Sequence, residues 1–567
     1  MSANPNKLSQ FWQELKRRRV IHVIIVYATS AFVIIELVNN VYETLNLPEW
    51  TPTLVILLLV VGFPIALIFS WIYDITLKGI TKTEPVEQTR KKKKGNSPVD
   101  RESRFENSIA VLPFQDMSPK KDQEYFCDGI AEEIINALAR VESLKVIART
   151  SAFAFKNKQI GIREIGHKLN IKTILEGSIR KDGNRLRITA QLINVSDGFH
   201  MWSEIFDREI EDVFAVQDEI SLAIVDHLKI KLLGEEKMAI AKHATKNLDA
   251  FNLYLKGNYS WQMMTPEGLN NANKYFKQAL QKDPKYAMVY VGLAAVQVSS
   301  TYFGNVPPNN AFPKANIYLK KSLEIDNTLA EAHCYLGVCN LDYYWSREKA
   351  ELNFKEAIQL NPNSALIRIQ YSLLLSSAGR HQEAISEAKR AQELDPLSSH
   401  INTYVGQTFY FDSQFDRAIK EFKLVISLNP NYFLAHSYLG VAFVGKTKPI
   451  KAFEEFKKAY ELSNGVPQIV ALLAVAYFNA NKKKRSEKLF EELKKRSTSE
   501  YIPPTCFFMI HKVRGEEDLA FEWLERACEE RDGFLFWFRV SPVDSVFPAP
   551  SDDTRYKALM KKYGLEK

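Results

Sequence analysis

A pattern that returns every 34 residues through the second half of the chain constrains its fold more than anything else in the sequence. Helix-ending signals mark it: KDP at 282–284, IDN at 325–327, LNP at 360–362, LDP at 394–396, LNP at 428–430 and LSN at 462–464. From Pro362 the steps to Pro396, Pro430 and Asn464 are each 34 residues. Other positions keep the same interval: Ala384, Ala418 and Ala452 in one register, Ala388, Phe422 and Phe456 in a second, Gly406 and Gly440 in a third. A small residue lets the two helices of a hairpin approach closely, a bulky one fills the gap to the next hairpin, and Pro or Asn stops the second helix. One such hairpin cannot bury its apolar face alone, so stacking has to build a continuous core and a concave groove.

These registers resemble the tetratricopeptide repeat (TPR) family. VGQTFYFDSQFDRAIKEFKLVISLNP at 405–430 carries the pattern almost completely. Ala272, Phe276, Ala279 and Pro284 place an earlier repeat, and Ala520 with Ala527 a late one. The expectation is an all-α TPR solenoid of about eight repeats over 247–533, the first two with insertions. In that family ligands usually lie in the groove against first-helix side chains. Carried onto the two best-matched repeats, the resemblance points to His400, Thr403, Gln407 and Tyr410 in one and to Ser437 and Val441 in the next. The implied partner is a protein or peptide; the plain alternative for each residue is packing or exposure. The last segment, 534–567, opens with Phe534, Phe536, Trp537 and Phe538, expected to cap the final hairpin by packing. Its TRYKALMKKYGL resembles the closing segment of such proteins.

The first 80 residues read differently. VIHVIIVYATSAFVIIELV at 20–38 and LVILLLVVGFPIALIFSWIYDI at 54–75 are each about long enough to cross a ~30 Å hydrocarbon layer. Trp50, Trp71 and Tyr73 sit near their ends. Residues 1–19 carry a net charge of +4, residues 20–75 of −4 and residues 76–105 of +5, so basic charge flanks the apolar segments on both sides. This predicts a two-helix transmembrane hairpin over 20–75, with helices at about 20–42 and 54–75. The basic terminus 1–19 and the basic linker 76–105 would both be cytoplasmic. A signal peptide is the competing reading of the first stretch, opposed by the long polar segment before it and the second span after it. Glu36 and His22 lie near the ends of that run, where reaching the interface is cheap.

Between these regions, 106–235 reads as a small α/β domain. SIAVLPF at 108–114 and LKVIA at 144–148 look like buried strands around a helix at 125–141, and GIREIGHKLN at 161–170 like a short helix. KTILEGSIRK and RLRITAQLIN flank Asp182-Gly183-Asn184, a turn composition that tolerates positive φ. In the second arm Leu186, Ile188, Ala190 and Leu192 alternate with polar residues, so one face is buried. HMWSEIFDRE at 200–209 adds a strand and 212–232 a closing helix. IAVLPF, YFCDGIAEEI, ILEGSIRKDGNRLRITAQLI and WSEIFDRE resemble the TolB amino-terminal-like domain that precedes TPR arrays in many bacterial proteins. In that family the pair follows cyclase catalytic domains or winged-helix DNA-binding domains, and here apolar segments stand in that position.

Function classes narrow accordingly. The fold class is multidomain: a transmembrane hairpin, a TolB-like α/β domain and a TPR solenoid. The sequence holds no GxGxxG, P-loop, GxSxG or HExxH, and its five cysteines form no CxxC pair. Asp116, Asp128, Glu132 and Glu133 read as a solvated helix N-terminus rather than an acidic site. The expectation is a non-enzyme without catalytic residues, metal or cofactor. It would be a bacterial inner-membrane, multi-pass scaffold or signalling adaptor, with protein and lipid-bilayer partners and no nucleic acid. The alternatives are an envelope-assembly or transport factor with periplasmic domains, or an enzyme with its site in the α/β domain.

Overall fold

The computed structural model describes residues 51–76, 79–82, 107–230, 245–303, 306–535, 541–542 and 554–565, with scattered residues between 27 and 50 and at 232 and 237. The chain divides into two compact units, Met1–Arg104 and Phe105–Lys567.

In the first unit helix α1 spans Thr51–Ile72 and carries Pro64 in its interior. The chain then turns into an antiparallel strand pair, β1 (Tyr73–Thr76) and β2 (Gly79–Lys82), with Tyr73 opposite Lys82. Among the described residues no helix is long and apolar enough to cross a membrane. That finding corrects the expected two-helix transmembrane hairpin, and with it the multi-pass inner-membrane placement and the bilayer as a partner through 20–75. An apolar run by itself does not separate a membrane helix from other apolar segments. Here the run holds a proline, which lacks the N–H for one rung of the helical ladder, and its last residues leave the helix for a strand. Most of the first apolar stretch, the terminus 1–19 and most of the linker 76–105 lie outside the described residues.

The second unit begins with a mixed sheet. Strands β3 (Asn107–Val111), β4 (Gln115–Asp116), β5 (Leu144–Val146), β6 (Thr173–Asp182), β7 (Arg185–Asn194) and β8 (His200–Glu209) run in the order β5-β3-β6-β7-β8, with β4 also on β6. β3 is parallel to β5 and β6, while β6, β7 and β8 form an antiparallel meander. Asp182 pairs with Arg185 across a two-residue turn in which Gly183 takes φ +59, the conformation its missing Cβ allows. Leu186, Ile188, Ala190 and Leu192 are all buried on one face, as their alternation implies. On that face lie α2 (Glu124–Ala139), through Phe126, Ile130, Ile134 and Leu138, and α5 (Val213–His227), through Val216, Ile220 and Ile224. On the other face α3 (Arg149–Phe153) and α4 (Ile162–Leu169) bury Ala152, Ile165 and Leu169 against Ala110, Ile147 and Ile174.

Eight helical hairpins follow among the described residues. They are α6 (Leu248–Trp261) with α7 (Pro266–Lys282), α8 (Ala287–Phe303) with α9 (Pro308–Ile325), α10 (Ala330–Asp342) with α11 (Arg347–Leu360), and α12 (Ala365–Ser377) with α13 (His381–Leu394). Then come α14 (Ser399–Phe411) with α15 (Phe415–Leu428), α16 (Phe433–Gly445) with α17 (Pro449–Leu462), α18 (Pro467–Asn479) with α19 (Lys483–Arg496), and α20 (Pro504–Arg514) with α21 (Glu517–Glu529). The registers read from the sequence meet physically. A Cβ at Gly406 would stand 2.5 Å from Phe422, and one at Gly440 would stand 2.6 Å from Phe456. Each glycine thus lets its helix lie against a buried phenylalanine of the partner helix. The array is TPR-type. A last helix, α22 (Thr554–Lys562), buries Leu559 and Met560, and Leu535 is buried just after the eighth hairpin. Phe534 packs half-buried on the same core, whereas Phe536, Trp537 and Phe538 lie outside the described residues.

Sheet and array share a core. Phe251, Tyr254, Leu255 and Phe276 of the first hairpin join the cluster under α2 and α5. A Cβ at Gly129 in α2 would stand 2.5 Å from Leu255.

Candidate functional site: the first-helix row of the array

The first helices α12, α14 and α16 lie side by side, and the candidate residues come from α14 and α16. Thr403, Gln407, Tyr410, Ser437 and Val441 are all buried, and His400 is half-buried. Thr403 and Ser437 share one register and Gln407 and Val441 another, each pair one 34-residue step apart. His400 lies edge-on to Tyr404, ring centroids 4.6 Å apart, and burial pushes its imidazole down to about 4. The Thr403 hydroxyl donates to the Ser399 carbonyl at 2.7 Å, a bond within its own helix. The Gln407 amide donates to the Tyr438 hydroxyl at 3.3 Å, while its carbonyl oxygen is buried without a hydrogen-bond partner. The hydroxyls of Tyr410 and Ser541 are 2.6 Å apart, so a residue from beyond the last hairpin already sits on this row.

Two further polar groups belong to the row and were not singled out from the sequence. Ser376, one 34-residue step before Tyr410, has a buried hydroxyl with no partner; the repeat interval alone could have found it. Asp342, at the end of α10, accepts from the Tyr302 hydroxyl at 2.7 Å on one oxygen, and its other oxygen is buried and unpaired. Burial pushes this carboxyl up to about 6, against the lowering effect of the Tyr302 bond.

The end of the array returns to its beginning. The Asn309 amide donates to the Glu529 carbonyl at 3.2 Å, and the Tyr343 hydroxyl donates to Asn309 at 3.0 Å. The Arg531 guanidinium lies 4.3 Å over the Trp345 ring and 5.7 Å from the Tyr563 ring, and the two rings meet edge-on with centroids 6.1 Å apart. The contact of Asn309 with Glu529 is invisible to a local pattern, because the two residues stand 220 positions apart.

The sheet domain docks on the turns that end second helices. The Ser151 hydroxyl donates to Asp395 at 2.6 Å and accepts from the Leu397 N–H at 2.8 Å. The Asn363 amide donates to the carbonyls of Ala139 and Val141 at 3.3 and 2.9 Å. Asp128, expected at a solvated helix N-terminus, is buried instead and accepts from Lys156 at 2.7 Å. Its neighbour Glu132 lies 3.1 Å from the Arg149 guanidinium. Among the described residues no group of three or more His, Cys, Asp or Glu side chains could hold a metal ion. The five cysteines are buried free thiols, and burial pushes Cys127 and Cys528 up to about 12.

A family model described as "HilA/YgeH-like transcriptional regulator, second domain" matches residues 105–226, the stretch whose motifs resemble the TolB amino-terminal-like domain. "Putative adenylate cyclase 3" of Rhizobium meliloti (strain 1021) is 34% identical over 233 residues, 41% of this chain and 40% of that protein. "Transcriptional regulator HilA" of Salmonella paratyphi A (strain ATCC 9150 / SARB42) is 26% identical over 292 residues, 51% of each chain. The chain thus spans about half the length, or less, of these curated relatives. Among solved structures, "YrrB: a TPR protein with an unusual peptide-binding site" is 21% identical, with a TM-score of 0.24, over 33% of this chain and 91% of that one.

Proposed function

We propose that this chain is a protein-interaction scaffold of a signalling assembly. Its array takes an extended protein or peptide partner along the row of His400, Thr403, Gln407, Tyr410, Ser437 and Val441. The observation that carries this reading is the set of buried polar atoms without a hydrogen-bond partner on and beside that row: Gln407 Oε1, Ser376 Oγ and Asp342 Oδ1. A buried polar group left unpaired costs about 1–3 kcal/mol, and a peptide backbone supplies donors and acceptors along an extended line. The Ser541 hydroxyl on Tyr410 marks the kind of polar group such a partner would bring.

The functional units on this reading are 106–235 and 247–533, with 534–567 closing the array. The TolB amino-terminal-like resemblance fits a module that fixes the orientation of the array, and the Ser151–Asp395 and Asn363 contacts are the means. Partial matches to a named cyclase and to a named transcriptional regulator fit a regulatory half that serves with different output parts. We assign the chain binding rather than catalysis.

A photo-crosslinking amino acid in place of Gln407, introduced in cells, tests the proposal. Discrete protein adducts that are lost on adding Tyr410→Ala are expected. Absence of adducts, or adducts indifferent to Tyr410→Ala, would count against the row as the binding face.

A further inference from the structure

Among the described residues the sheet ends in a strand without a partner on its outer side. β8 is the last strand in the order β5-β3-β6-β7-β8 and is ten residues long. A terminal strand presents a row of backbone N–H and C=O groups along its outer side, and long edges of this kind are usually blunted by Pro, Lys or brevity. β8 contains neither Pro nor Lys, and its charged residues are Glu204, Asp207, Arg208 and Glu209. Beside these charges it carries apolar side chains in the open: Ile205 is 63% exposed and Met201 38%, and Phe199 just before the strand is 74% exposed. On the outer face Ile205 stands beside Thr189, next to the Arg187–Asp207 ion pair at 2.5 Å.

We infer that β8 is an interface between two copies of this chain, pairing antiparallel with its own counterpart about a two-fold axis at Ile205. A strand pairs with itself only in registers where opposed residues lie on the same face, so the axis must pass through a residue. An axis at Glu204 would set two glutamates directly opposite, which is unfavourable. An axis at Ile205 sets Ile205 against Ile205, Ser203 against Asp207, Phe206 against Glu204 and Trp202 against Arg208. No like charges oppose one another in that register. Its centre covers the most exposed apolar side chain of the strand with a copy of itself, and its ends place a guanidinium near an indole. The bulge at Leu192/Ile193 lies outside the proposed central pairs. Joining two five-strand paths there makes one continuous sheet across the axis.

The test uses the full-length chain in analytical ultracentrifugation between 1 and 100 µM. A species of twice the 65.0 kDa chain mass is expected at the upper end. Ile205→Lys should raise the dimer dissociation constant at least tenfold, with the thermal midpoint of the monomer little changed because Ile205 is largely exposed in its own chain. Ile205→Cys should oxidise to a disulfide-linked dimer, whereas Ser203→Cys alone should not, since Ser203 faces Asp207 rather than itself. A monomer throughout the range, or a dimer indifferent to Ile205→Lys, overturns the interface. Equal crosslinking at 203 and 205 overturns the register.

Discussion

The array and the sheet domain treat their open ends in opposite ways. A solenoid has two ends and a groove open by construction, yet here Glu529, Arg531 and Tyr563 of its last part meet Asn309 and Trp345 of its second and third hairpins. Its inner row is buried, with Ser541 already on Tyr410. The sheet could have hidden its edge under a helix or a short strand, and it leaves ten residues of β8 with Ile205 in the open. The contrast teaches that burial here follows the chain's own returning segments rather than the element type. The row expected to be open is partly covered by a returning segment at Tyr410, and the edge usually protected carries Ile205 in the open.

The comparison breaks most violently if the array loses a repeat-defining side chain. Phe422 is fully buried against Gly406, so Phe422→Ala leaves a cavity that glycine cannot fill. A loss of about 3–5 kcal/mol is expected by chemical denaturation. Hydrogen exchange should rise across α14 to α17 while β6–β8 stay protected; equal loosening of both regions would show that they are not separable.

Asp342 sharpens the closed side. Burial pushes its carboxyl up to about 6 from the ordinary 3.8, so the native state binds this proton more tightly. Stability from this group is therefore greatest below about pH 4, falls as pH rises through 4 to 6, and carries the full penalty at pH 7. Asp342→Asn keeps an acceptor for the Tyr302 hydroxyl and removes the charge. It should stabilise the chain at pH 7 by on the order of 2–3 kcal/mol, and the gain should vanish near pH 4. A variant equally stable to the parent at both pH values would mean that the carboxylate is solvated.

The repeat interval made most of the array legible, because a TPR hairpin is a local unit: Gly406 meets Phe422 only 16 positions later. The β6–β7 hairpin was legible for the same reason, its turn and its alternation lying in one short stretch. What the sequence hid was everything made by distant segments. The family's groove carried onto His400, Thr403, Gln407 and Tyr410 names residues of one helix, whereas the contact on Tyr410 comes from Ser541, 131 positions away. Asp128 looked like a solvated acid because Lys156 and Arg149 reach it from a separate element. The apolar runs at 20–75 misled more seriously: apolarity says that a segment avoids water, and not what replaces the water.

The seam between the two regions gives a smaller effect. Asn363→Ala removes both bonds to the carbonyls of Ala139 and Val141, which end α2. A loss of about 1–2 kcal/mol is expected, with faster exchange at the C-terminal end of α2. An unchanged α2 would mean that the shared core under Phe251 and Leu255 holds the domains together without this bond.

The smallest expected effect probes the closure itself. Arg531 stacks over Trp345 and flanks Tyr563, so one side chain ties the end of the eighth hairpin both to α10–α11 and to α22. Cation–π contacts of this exposure contribute about 0.5–1 kcal/mol, too little to hold the array folded but enough to bias whether its ends stay together. Arg531→Ala should therefore leave the denaturation midpoint almost unmoved. It should raise hydrogen exchange selectively in Asn309–Trp345 and Thr554–Leu565, and increase labelling of the α14 row by a small water-soluble probe. Arg531→Lys keeps the charge without the planar stacking and should fall between the two. If the row stays as protected in Arg531→Ala as in the parent, the contact with Ser541 and not the closing of the ends is what covers it, and the two halves of the closed side would have to be treated as separate devices.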